Sequence, residues 1–98
     1  MIPIILGAIA ALVAVVVFML KWETILDWFN AREALRESDH ENIAFTLQEK
    51  LANGKYSTVE GIFNKRTETL EDGKKYESKE IDEQLAEYHR NEALVVYG

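Results

Sequence analysis

Met1-Ile-Pro-Ile-Ile-Leu-Gly-Ala-Ile-Ala-Ala-Leu-Val-Ala-Val-Val-Val-Phe-Met-Leu20 carries no charged and no strongly polar side chain. As a helix rising about 1.5 Å per residue, this stretch approaches the roughly 30 Å hydrocarbon thickness of a bilayer. Pro3 stands where a helix has unpaired N–H groups, so it opens a helix without breaking it. The β-branched residues Val13, Val15, Val16 and Val17 disfavour a helix in water, but in lipid the backbone must satisfy its own hydrogen bonds and a helix prevails. A cleaved secretory signal needs a basic start and a small-residue cleavage site, and neither is present. The expectation is therefore a single transmembrane helix over residues 1–20.

Working outward, the chain divides at Lys21. All 11 basic and 17 acidic residues of this 98-residue chain lie from Lys21 onward, so the formal charge of −6 belongs to the C-terminal part. Lys21, Arg32 and Arg36 follow the apolar stretch and no basic side chain precedes it. On the positive-inside rule the N-terminus is then outside and the C-terminal domain cytoplasmic, in the inner membrane of a bacterial cell. The absence of cysteine agrees with a reducing compartment. Gly7, Ala11 and Ala14 recur at intervals of four and three, a small-residue face on which a second helix can pack closely.

Residues 21–37 continue the helical pattern as a juxtamembrane amphipathic helix. Trp22, Ile25, Leu26 and Phe29 recur at helical spacing while Glu23, Asp27, Asn30 and Glu33 take the other side. Lys21, Trp22, Trp28 and Phe29 suit the membrane interface, where an aromatic ring keeps its body in apolar surroundings and its polar end wet. The competing reading makes Trp28, Phe29 and Leu35 the lid of a soluble core.

Residues 38–98 read as a small soluble α+β domain. Ser38 and Glu41 have capping-box spacing. The helix they open carries Ile43, Leu47 and Leu51 at intervals of four and stops at Asn53-Gly54. Tyr56–Phe63 and Glu68–Tyr76 are strands of a β-hairpin with its turn at residues 64–67 and Gly73 as a bulge. Ser78 caps a further helix with Ile81 and Leu85 on one face, and Ala93–Tyr97 is a short buried strand closing a three-stranded sheet. The expected fold class is α+β: a transmembrane helix leading into helix, hairpin, helix and strand.

Chemistry-bearing patterns are sparse. His40 and His89 lie in different elements, and no His-x-x-x-His pair, phosphate-binding glycine loop or nucleophile elbow occurs. Asp39-His40-Glu41 reads as a helix's first turn, where acids are favoured by the dipole, rather than as a metal or acid–base site. The expectation is no catalytic residue, no metal and no cofactor. A net charge of −6 disfavours nucleic acid. Lys65, Arg66, Lys74 and Lys75 are the candidate basic patch, meeting across the hairpin. No motif is specific enough to name a family.

Together these readings predict a non-enzymatic, single-pass accessory or adaptor protein, a small subunit or regulator of a membrane complex. It docks a protein partner through its cytoplasmic domain or self-associates. The alternative is a membrane-perturbing protein of the holin or toxin type, acting by self-association of the transmembrane helix.

Overall fold

The computed structural model describes residues 7, 9, 10 and 12–97. Its elements run β1 Ala14–Leu20, α1 Trp22–Ala31, α2 Glu33–Glu37, β2 Asn42–Lys50, β3 Tyr56–Asn64, β4 Thr69–Ile81, α3 Glu83–Tyr88 and β5 Leu94–Tyr97. The strands form one mixed sheet in the order β1-β4-β3-β2-β5. Only the β1–β4 pair is parallel.

The expected transmembrane helix is corrected here. The described part of that stretch enters the sheet, with Ala14 opposite Lys75, Val17 opposite Ser78 and Leu20 opposite Ile81. Among the described residues no helix is long and apolar enough to cross a membrane. Val15, Val16, Val17 and Phe18 gain side-chain freedom and packing on a pleated surface that a helix denies them, and β4 supplies the hydrogen-bonding partner. The single-pass anchoring, the N-out topology and the inner-membrane location all rest on that span and go with it. The expected three-stranded sheet is corrected too, since the described residues form five strands.

The expected helix after Ser38 is a strand as well. A spacing of four fits a helix turn, yet it is also an even number, so Ile43 and Leu47 share a face of a strand. With Phe45 between them, they face one side of β2 while Ala44, Thr46 and Gln48 face the other, and β2 pairs antiparallel with β3 from Asn42–Asn64 to Lys50–Tyr56. Ser38 does not open a helix: its Oγ donates to the carbonyl of Leu35, at 2.6 Å, closing α2. Asn53-Gly54 forms the β2–β3 turn, where Gly54 has φ +86°, open to glycine at no steric cost.

β3 and β4 pair around the turn after Asn64, and the irregularity in their register falls at Glu71. Gly73 lies instead opposite Gly61. A Cβ on Gly61 would stand 2.8 Å from the Phe45 ring and one on Gly73 3.0 Å from Leu70, so Gly61 makes the space that Phe45 fills and Gly73 that for Leu70.

Two cores result, one on each face of the sheet. Phe45, Val59 and Phe63 pack with Ile43, Leu47, Leu70 and Leu94 on one face, covered by Ile9 and Leu12. On the other face α1 lies across the strands. Ile25 joins Leu20, Tyr76 and Leu85, and Trp28 joins Ala44 and Ile62. Trp22, Trp28 and Phe29 thus pack on the sheet rather than at a headgroup layer.

α1 has no local cap, because Lys21 at its N-cap position makes no side-chain hydrogen bond to it. Asp82 supplies the missing acceptor from far along the chain. Its Oδ2 accepts from the N–H of Trp22 at 2.9 Å, and its Oδ1 accepts from the N–H of Leu85 at 2.9 Å, capping α3. The Asp82 N–H donates to the carbonyl of Leu20 at 3.0 Å. One residue therefore ties the end of β1 to the starts of two helices. Asp82→Ala is expected to lower unfolding free energy by about 1–3 kcal/mol, as both caps are lost together. Asp82→Asn, with one acceptor oxygen, should recover part of that in a denaturant titration.

Candidate functional site

Polar side chains between the helices and the sheet form two groups, one centred on Glu60 and one on Thr46, residues that are both fully buried. Glu60 lies in the middle of β3. Tyr76 on β4 donates its hydroxyl hydrogen to Glu60 Oε2 at 2.6 Å, whereas Oε1 has no hydrogen-bond partner. Burial drives the Glu60 pKa up to about 8, against the opposing pull of the Tyr76 hydroxyl and the positive charges of Lys74 and Arg32. The same burial, with the carboxyl beside it, raises that of Tyr76. At neutral pH Glu60 is held mainly as the uncharged acid.

The second group joins β2, β5 and the end of α3. Thr46 Oγ1 lies 2.7 Å from His89 Nε2 and 2.6 Å from the Tyr97 hydroxyl. His89 Nδ1 is 2.9 Å from the carbonyl of Glu92, which only accepts, so Nδ1 carries the hydrogen. In the neutral ring Nε2 then accepts from Thr46, and Thr46 accepts from Tyr97. Burial lowers the His89 pKa, favouring that neutral form, and raises that of Tyr97. Around this chain Trp22, Tyr88, Tyr97 and Phe29 pack ring to ring, with centroids 4.5–5.7 Å apart.

Glu60 and Thr46 are closed off, whereas His89 and Tyr97 are only partly buried and each forms part of a groove wall. One groove of about 450 Å³ lies between α1–α2 and the β2–β5 end of the sheet and includes Trp22, Phe29, Arg36, Asn42 and Tyr97 among its walls, and a second of about 450 Å³ is bordered by Gln48, Tyr56, His89 and Arg90; neither includes Glu60 or Thr46. Among the described residues no group of three or more His, Cys, Asp and Glu side chains is arranged to hold a metal ion. The polar row acts as a clamp inside the fold.

The feature open to a partner is β1. It is an edge of the sheet, and Val13, Val15, Val16, Phe18 and Met19 are exposed along it, Val16 by 67% and Phe18 by 59%. Edge strands in stable monomers are ordinarily short, charged or interrupted by proline. Ala14–Leu20 has neither charge nor proline.

The other residues singled out by sequence scatter. Ala14 belongs to β1, Gly7 is exposed, and Ala11 lies outside the described residues. Lys65 approaches Glu41 at 3.8 Å and Arg66 pairs with Asp39 at the β3–β4 turn. Lys74 lies opposite Glu60, four pairs from that turn, with its ammonium 5.3 Å from the Tyr76 ring centroid, and Lys75 points to the other face. The four basic residues do not converge. Lys21 is exposed beside α1. Asp39 binds the N–H of Glu41 and the side chain of Asn64, which hold its carboxyl down to about 2, and so it fastens the loop before β2 to the β3–β4 turn. Glu60 and Thr46 were invisible as a pair because their contact is across strands. The signal available was a lone acid in the apolar run Val59-Glu60-Gly61-Ile62-Phe63.

No protein-family model, curated protein or solved structure matches this chain.

The Glu60 shift has a direct consequence for stability. Because its folded pKa of about 8 lies above the ordinary 4.5, the unfolded chain releases this proton first. The contribution of Glu60 to stability is fully present below 4.5, falls as pH rises, and is lost once pH passes 8. Glu60→Gln, which keeps an acceptor for Tyr76 and cannot ionise, should gain on the wild type as pH is raised. Denaturant titrations at pH 5 and pH 8.5 should show the difference widening by on the order of a few kcal/mol.

Proposed function

We propose that this chain is a non-enzymatic docking module, an accessory or adaptor subunit that binds a protein partner by strand addition at β1. The observation that supports it is the uncharged, apolar edge strand Ala14–Leu20, with Val16 and Phe18 mostly exposed on one face and Val15 and Met19 partly exposed on the other. Strand addition draws affinity from backbone hydrogen bonds and selectivity from alternate side chains, and an apolar edge offers both. The burial of Glu60 and Thr46 favours this reading over catalysis, since neither side chain lines these grooves. The membrane-perturbing alternative acts through a transmembrane helix, which the described residues do not contain.

The test is retention of proteins from native extract on the immobilised chain and on its Val16→Lys variant. Val16 is largely exposed, so Lys there should leave the unfolding free energy of the single, unassociated chain within about 0.5 kcal/mol of the wild type's, measured at a concentration too low for pairing. A charge on the edge is expected to abolish stoichiometric retention of the partner, a further copy of this chain included. Equal retention by both forms, or none by either, would overturn the docking role.

A further inference from the structure

We propose that the occupant of the β1 edge is a second copy of this chain, paired antiparallel about a two-fold axis through Val17. The inference rests on the docking role above and narrows it to one partner.

Backbone direction sets the register. The carbonyl of Leu20 accepts from Asp82, on the β4 side, and Leu20 lies opposite Ile81, the pattern of a parallel ladder. Successive residues of a strand turn their N–H and C=O to opposite sides, so Ala14, Val16, Phe18 and Leu20 bond inward to β4. Val15, Val17 and Met19 then direct their backbone groups outward, unpaired among the described residues. The centre of this outward set is Val17. An antiparallel copy centred there pairs Val17 with the partner's Val17, and Val15 with the partner's Met19 twice over, so every outward group between Val15 and Met19 is satisfied.

The side chains agree with that register. Between the hydrogen-bonded pairs, Val16 faces the partner's Phe18, again twice by symmetry. Such pairs, without direct hydrogen bonds, bring side chains closest, and a β-branched residue against an aromatic ring is a favourable cross-strand match. These two residues are among the most exposed apolar side chains of the strand. Charges on the flanking strand do not oppose that register, though they lie about three strand spacings apart and form no ion pair. Glu77 lies beside Val16, and Lys79 holds its ammonium 5.6 Å from the Phe18 ring centroid. Each row across the two-fold therefore ends on Glu77 at one side and the partner's Lys79 at the other. A head-to-tail contact of β1 on the opposite edge, β5, would leave one of each edge open and build a filament rather than a closed pair. β5 also matches poorly in length, at four residues against seven. A two-fold pair closes, and it covers the longer apolar edge completely.

The experiment is the solution mass of the purified chain by light scattering at tens of micromolar, combined with cysteine cross-linking. The wild type contains no cysteine, so single substitutions give an unambiguous signal. The expected mass is that of two chains, falling to one chain in Val16→Lys. In the predicted register the Cα atoms of Val16 and the partner's Phe18 are about 4.5 Å apart, within disulfide reach, whereas the two Val16 residues are diagonal neighbours beyond it. A mixture of differently tagged Val16→Cys and Phe18→Cys chains should therefore cross-link under mild oxidation, and Val16→Cys alone should not. A one-chain mass for the wild type at every concentration would overturn the self-pairing and leave the docking role to the retention assay. A two-chain mass that survives Val16→Lys, or a Val16→Cys cross-link as efficient as the mixture, would place the contact elsewhere and overturn it equally.

Discussion

The parallel pairing of Ala14–Leu20 with Lys75–Ile81 is the contact on which the rest of the molecule depends. It joins the start of the described chain to a strand some sixty residues later, and so closes the sheet around β4. Leu20 is almost completely buried at the end of this ladder, and there the chain turns into α1. Asp82, the first residue after β4, accepts from the first residue of α1 and from the first turn of α3. The ladder thus delivers the acceptor to the place where α1 begins. Without it α1 would start at Lys21 with no cap, and its apolar stripe of Ile25 and Trp28 would have no fixed direction across the strands. A parallel pair needs a long crossover, and here that crossover contains two helices and the β2–β3 hairpin.

Helices laid over a sheet usually bury hydrocarbon against hydrocarbon, and this interface is more polar than that. Glu60, Thr46, Thr58 and Ser78 are all buried on the helix-facing side. Most find partners: Tyr76 serves Glu60, Gln48 serves Thr58, and Tyr97 and His89 share Thr46. The Ser78 hydroxyl and one Glu60 oxygen do not. Burying a polar group without a partner costs about 1–3 kcal/mol, so these two atoms lower stability in a domain already short of core. What the polar row supplies is a fixed geometry. Hydrogen bonds are directional, and the Tyr97–Thr46–His89 chain holds β5 and the end of α3 to β2 at one setting, where an apolar interface would let them slide. The aromatic rings packed about Tyr97 carry the same constraint outward to Trp22 and α1.

Small domains offset a limited core with external support, whether disulfides, metals or association. This chain has no cysteine, and its apolar surplus is concentrated along one strand edge. The strand addition proposed above would hide that surplus and add hydrogen bonds along the outer side of β1. Stability and partner binding would then be the same contact, seen from within the chain and from outside it.

By itself the sequence determined that the chain changes character at Lys21, that residues 22–37 are mostly helical with an amphipathic first part, that an element ends at Asn53-Gly54 and a turn follows Asn64, and that Leu94–Tyr97 is an apolar strand. These depend on near neighbours: the spacing of apolar residues over two turns, the left-handed freedom of Gly54, and the Asn64 side chain accepting from Arg66 and Thr67 just beyond it. Tertiary structure decided the rest, because the deciding partners are distant. Ala14–Leu20 is apolar enough for a bilayer and β-branched enough for a sheet, and only the presence of β4 beside it selects the strand. Ile43–Leu51 has a spacing of four that serves either period, and pairing with β3 selects the strand there. The caps of α1, the neutral state of Glu60 and the Thr46 clamp follow the same rule, since each is made by residues that meet only once the sheet has formed.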